Sequence, residues 1–159
     1  MSQNKSITID LVHSLVLPNA TGEWSWYYIS MNIAISEVYK YPDETWSRAG
    51  LSSNEYISVD LVYNLELPNA TSDWELECIS ENTEISDVYK YPDETWSKNG
   101  LSFNKGITID LVHNLELPNS TDGWSWYYIS SNIPISDVYK YTEKTWIVYE
   151  QGYIYRSDT

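Results

Sequence analysis

Residues 6–17 read SITIDLVHSLVL, and the alternation in this stretch decides the fold expected of the chain. On an extended backbone Ile7, Ile9, Leu11, Leu15 and Leu17 fall on one face, with His13 among them; Thr8, Asp10, Val12, Ser14 and Val16 fall on the other. Period-two alternation rich in β-branched residues is the signature of a strand. The stretch is long for a single strand, which places a bulge or bend near His13.

Working outward, the same text recurs. The chain is three copies of one 50-residue unit, beginning at Met1, Leu51 and Leu101 with no insertion or deletion, followed by a tail from Gln151 to Thr159. This reads as a single domain of repeats 1–50, 51–100 and 101–150 plus the tail 151–159, and a fixed period constrains the fold before any single residue does. In each copy a Pro-Asn turn follows the first strand: Pro18-Asn19, Pro68-Asn69 and Pro118-Asn119. The alternation then predicts a second strand over Trp24 to Ser30, a third from about Ile35 to Tyr41, and a short fourth starting at Thr45-Trp46. In the third copy the last region becomes TWIVYEQGYIYRS, a hairpin around Gln151-Gly152 whose final strand would cover an open sheet edge. No segment pairs a 3.6-residue period with helix caps. The expectation is therefore one closed all-β body with pseudo-threefold symmetry. That arrangement resembles a β-trefoil, which also has three four-stranded subdomains of about this length, although no copy carries the QxW motif of ricin-type trefoils. The alternatives are a β-prism or half of a six-bladed propeller, the last needing a dimer to close its ring.

The composition narrows the function classes. A net charge of −14 opposes phosphate backbones and anionic membranes, so neither nucleic acid nor a membrane surface is an expected partner. No apolar run approaches the length of a membrane span, and the start MSQNKSITID lacks a signal peptide's apolar region. The expected location is the cytoplasm, or outside the cell without a recognisable leader. Cys78 is the single cysteine and stands where the other copies have Tyr28 and Tyr128, which reads as packing rather than as a nucleophile. Eight Trp and fifteen Tyr against one Phe favour aromatics that keep one end wet, as binding surfaces do.

Catalysis is not expected. His13 and His113 stand at equivalent places in different copies, Tyr63 takes that place in the second, and no nucleophile-elbow, zinc-protease, Cys-pair or phosphate-loop motif is present. Asp43-Glu44 and Asp93-Glu94 sit in Pro-containing turns and read as solvated loops. Asn19, Asn69 and Asn119 match the glycosylation pattern but read as Asn turns.

The region that varies most tellingly is WSWYYIS, residues 24–30 and 124–130, which becomes WELECIS over 74–80. Trp24, Trp74 and Trp124 are constant and read as core. Two copies thus share a Trp-Tyr-Tyr segment and a preceding His, and the middle copy lacks both. Aromatic faces beside His and carboxylates are what a sugar site needs: rings stack on the sugar's C–H face and polar groups bond its hydroxyls. The candidate ligand-binding residues are Asp10, His13, Trp26, Tyr27 and Tyr28 in the first copy, and Asp110, His113, Trp126, Tyr127 and Tyr128 in the third. The leading expectation is a multivalent, non-enzymatic lectin binding glycans or glycoproteins, with no cofactor required, calcium being the one cation allowed for. An oligomer is compatible with it. The alternatives are a protein-interaction module, such as an inhibitor, immunity factor or toxin-targeting domain, and a structural or calcium-binding repeat.

Overall fold

The computed structural model describes residues 7–15, 24–138, 146–148 and 154–156, and over these residues the chain is helical. The elements are α1 (Ile9–Ser14), α2 (Trp26–Asn32), α3 (Ile35–Lys40), α4 (Arg48–Ser52), α5 (Val59–Asn64), α6 (Leu76–Asn82), α7 (Ile85–Lys90), α8 (Lys98–Phe103), α9 (Ile109–Asn114), α10 (Trp126–Asn132) and α11 (Ile135–Val138), then β1 (Trp146–Val148) and β2 (Ile154–Arg156). The all-β expectation is therefore wrong, and with it the trefoil, the prism and the half-propeller. Each of the first three strands read from the sequence is a helix. Among the described residues the only strand pair is the antiparallel β1–β2, with Ile147 opposite Tyr155.

The stretch over residues 6–17 shows how the reading fails. Thr8 is a helix N-cap whose hydroxyl accepts from the Leu11 N–H at 3.2 Å, and Ser58 and Thr108 do the same for Leu61 and Leu111. Asp10, Asp60 and Asp110 then stand in the first turn, where a carboxylate suits the helix dipole. Ile9 and Val12, three apart, are buried, while Leu11 on the supposed apolar face is 41% exposed. The WSWYYIS segment turns the same way. Trp26, Ile29 and Ile33 face the core and Trp46 meets Trp26 edge-on, with ring centroids 5.5 Å apart. Trp24, expected inside, is 38% exposed. Among the tryptophans whose burial is described, the buried ones are Trp46 and Trp96, whose indole N–H groups donate to the carbonyls of Tyr41 and Tyr91 at 2.8 and 2.9 Å.

The helices stack in line. α2, α4, α6, α8 and α10 contact one another in that order, and β2 lies against α10. The odd-numbered helices join through side chains: the Ile9 N–H donates to Glu37, the Tyr41 hydroxyl to Asp10, and the Tyr89 hydroxyl to Asp110. A unit that touches only its neighbours is the plan of a repeat stack. Two hydrophobic clusters run along it, and α5 bridges them by sending Leu61 into one and Val59 into the other.

The stacking exposes a repeat shorter than 50 residues. The pattern Trp-x4-Ile/Leu-Ser-x-Asn occurs five times, starting at Trp24, Trp46, Trp74, Trp96 and Trp124. Its Ser joins one even-numbered helix to the next. The Ser30 hydroxyl accepts from the Ser47 N–H, Ser52 from Glu75, Ser80 from Ser97, and Ser102 from Ser125, all at 2.9–3.0 Å. Its Asn does the same from the other end. Asn54 donates to the carbonyls of Ser30 and Ile33, and Asn104 to those of Ser80 and Thr83, so two of the open carbonyls at the ends of α2 and of α6 are satisfied. Gly50 and Gly100 allow the close approach this needs. A Cβ on Gly50 would run into the Tyr27 carbonyl oxygen and stand 2.9 Å from the Ser30 Cβ; one on Gly100 would meet Glu77 and Ser80 likewise. In the third copy Glu150 stands at the glycine position. There the β1–β2 hairpin replaces the next helix and covers the end of the row, where the sequence reading had it cover a sheet edge. Its turn at Gln151-Gly152 lies outside the described residues.

The turns form a second ladder. Asn69 lies outside any helix and donates to the Asp43 carbonyl at 2.7 Å, while the Thr71 N–H donates to Trp46. Asn119 and Thr121 repeat this on Asp93 and Trp96. Asn19 lies outside the described residues.

Candidate functional site

The structure divides the residues expected to form a sugar site between the two rows. Asp10 accepts from the Tyr41 hydroxyl at 2.9 Å and has the Lys40 ammonium 4.0 Å away. His13 pairs with Glu44 at 3.2 Å on the surface. Asp110 accepts from Tyr89 and from Asn114. These groups belong to the odd-numbered helices. Trp26 and Trp126 belong to the even-numbered row and pack against the two core clusters. Only in the third copy do a candidate His and Trp meet, His113 and Trp126, with ring centroids 5.8 Å apart. Tyr27 and Tyr28 form an exposed edge-to-face pair, and Tyr28 is 64% exposed. Tyr127 is exposed too, but Tyr128 stacks on Phe103 at 3.5 Å. In the second copy Tyr63 replaces the His and leans toward Glu94; burial, then that carboxylate, raises its phenol pKa above the ordinary 10.0.

Two clefts among the described residues lie elsewhere, each at a junction where an even-numbered helix ends and an odd-numbered one begins. One cleft of about 230 Å³ lies between the end of α2, the start of α3 and the Asn54 loop. A second, of about 430 Å³, lies between the end of α6, the start of α7 and the Asn104 loop. The two are the same place one 50-residue period apart. Their framework is common: Asn32 and Asn82, Ile35 and Ile85, Asn54 and Asn104. Their walls differ. Met31, Ala34 and Tyr56 in the first correspond to Glu81, Glu84 and Gly106 in the second. Glu55 lines both, so the clefts adjoin.

The floor differs as well. Ile33 in the first copy and Ile133 in the third are buried apolar residues; the second has Thr83. Thr83 is 3% exposed and its hydroxyl has no hydrogen-bond partner among the described residues. A buried hydroxyl left unpaired costs about 1–3 kcal/mol, so isoleucine would serve the fold better.

These exchanges follow the distribution of charge. The middle copy holds eleven Asp and Glu against two Lys, the first copy five against three, and the third six against three. Nine of the fourteen net negative charges thus sit in one copy. Glu75, Glu77, Glu81 and Glu84 stand where the others have Ser, Tyr, Met or Ser, and Ala or Pro; Glu55 stands where they have Lys5 and Lys105. Sequence reasoning treated the charge as one total and overlooked Glu55, Glu81, Thr83 and Glu84; counting acids copy by copy would have found the asymmetry. Among the described residues no three His, Cys, Asp or Glu side chains converge as a metal cage, and no helix is long and apolar enough to cross a membrane. No family model, curated protein or solved structure matches the chain.

Proposed function

We propose that this chain is a non-catalytic protein-interaction repeat whose middle copy recognises a basic protein partner. The observation that carries this is the placement of the extra acids. Copy two keeps the buried Ser, Asn and Gly contacts of its neighbours and exchanges residues on the cleft walls, at the cleft floor and on the outer side of α6, where Glu77 replaces the exposed tyrosines. A repeat stack presents such a surface on a rigid backbone, and constant scaffold with variable surface is how repeat proteins tune a partner. Closely spaced carboxylates steer a cationic partner and confer salt-dependent association.

The test uses the other copies as donors of compatible residues. Fluorescence anisotropy with a lysine- and arginine-rich peptide should give binding that weakens as salt rises. The variant Glu55→Lys, Glu77→Tyr, Glu81→Ser, Glu84→Ala should lose that binding and keep its helical circular dichroism. Equal binding by this variant would end the reading.

A second reading keeps the glycan hypothesis on one observation, the exposed ring faces of Tyr27, Tyr28 and Tyr127. It requires sugar-dependent changes in fluorescence that Tyr27→Ala and Tyr127→Ala remove, and silence on a glycan array would end it.

A further inference from the structure

Resting on the basic-partner reading, we propose that the cleft over Thr83 is an arginine pocket: it takes one arginine side chain of the partner, held by Glu55, Glu81 and Glu84 at the walls and by the Thr83 hydroxyl beneath. Three features converge there. The cavity, at about 430 Å³, is the larger of the two equivalent clefts and of a size that takes a ligand group. Three carboxylate residues line it against one cation, Lys105. The third feature is independent of charge. The backbone of Thr83 is satisfied, its N–H donating to Ile79 and its carbonyl accepting from Asn104, so among the described residues only the hydroxyl is left over. An oxygen placed where both neighbouring copies carry a methyl-bearing chain, and given nothing to bond, is an acceptor waiting for a donor.

The lining selects among cations. Phe103, one face of whose ring is covered by Tyr128, forms part of the wall, and a guanidinium packs on an aromatic side chain better than an ammonium does. A guanidinium also carries five N–H donors in a planar fork, enough to meet two carboxylates and the hydroxyl at once. The adjoining cleft shows what the same framework does with Glu55 alone, without counterparts of Glu81 and Glu84. Met31, Ala34 and Tyr56 give it a more apolar wall, and Asn32 Oδ1 there has no partner among the described residues. The partner segment therefore places an apolar residue beside its arginine, on the side of the shared Glu55.

Isotope-labelled protein titrated with N-acetyl-arginine amide tests this, with the neutral isostere N-acetyl-citrulline amide as control. Amide shifts at residues 81–86 and 103–106 with arginine, and at least roughly tenfold weaker ones with citrulline, are expected, since charge-assisted hydrogen bonds are about twice as strong as neutral ones. Thr83→Ile, the residue of the other copies, should weaken arginine binding several-fold, while Thr83→Ser should retain it. Equal response to citrulline, or undiminished binding by a folded Thr83→Ile chain, overturns the pocket. Shifts that map instead around Glu75 and Glu77 overturn the pocket and leave the basic-partner reading standing. No response to arginine anywhere, together with no binding of basic peptides, overturns both.

Discussion

At the residue scale, single atoms decide whether neighbouring helices can meet. Gly100→Ala should cost about 1–3 kcal/mol or more, because its methyl would meet backbone that the flanking ladder holds in place. Gly123→Ala, where a Cβ meets nothing, should stay within about 0.5 kcal/mol. Urea denaturation of the two variants checks the contrast, and equal midpoints would remove the close-approach argument. Asn104→Ala should be comparably harmful, since it leaves the carbonyls of Ser80 and Thr83 unpaired in a buried place. Tyr63 supplies a pH dependence. Its folded pKa is raised by burial and then by Glu94, so its contribution to stability is whole below the ordinary value of 10.0 and is lost as pH rises beyond it. Alkaline denaturation should therefore begin at higher pH in Tyr63→Phe than in the parent, and ultraviolet titration of the parent minus the variant should show a midpoint above 10.0. Cys78 is pushed up too, mainly by burial, and should react slowly with thiol reagents near neutral pH.

At the level of elements, the repeat period and the turns were legible in the sequence, while the type of the elements was not. Six-residue helices such as α1 and α9 span under two turns, too short to display a period of 3.6 against a period of two. In the second and third copies, much of the apparent alternation after Leu61 and Leu111 comes from chain that leaves the helix at Leu65 and Leu115. β-branched residues then tilted the balance, because Ile7, Ile57 and Ile107 look like strand residues, yet they sit just before the N-cap where an apolar residue closes on the first turns of a helix. Two helical signals were present. Thr8-x-x-Leu11 and its copies were caps, and Trp26, Ile29, Ser30 and Ile33 followed the i, i+3, i+4, i+7 spacing of a buried helix face. Both were hidden by the strength of the 50-residue repeat, which concealed the Trp-x4-Ile/Leu-Ser-x-Asn motif recurring twice within it. The candidate site was less legible still, since its clefts form between residues about 20 apart whose meeting depends on that helix stack. Removing a cap tests the element assignment. Ser58→Ala and Thr108→Val should each cost about 1 kcal/mol and reduce helical ellipticity; a variant that left both unchanged would contradict the assigned helix starts.

Across the whole molecule, the structure is a frame of repeated Ser, Asn and Gly contacts that holds cleft walls free to differ. The first cleft carries Met31, Ile33 and Ala34, the second Glu81, Thr83 and Glu84, and Glu55 belongs to both. If the frame is common and the walls confer recognition, the property of one cleft can be moved to the other. The most direct measurement is arginine-amide binding to the chain carrying Met31→Glu, Ile33→Thr and Ala34→Glu, followed residue by residue. The account predicts a second set of shifts at residues 31–35 and 54–56, absent from the parent chain, beside the original set at 81–86. A folded variant that binds arginine only at the original cleft, or binds it nowhere, would contradict it.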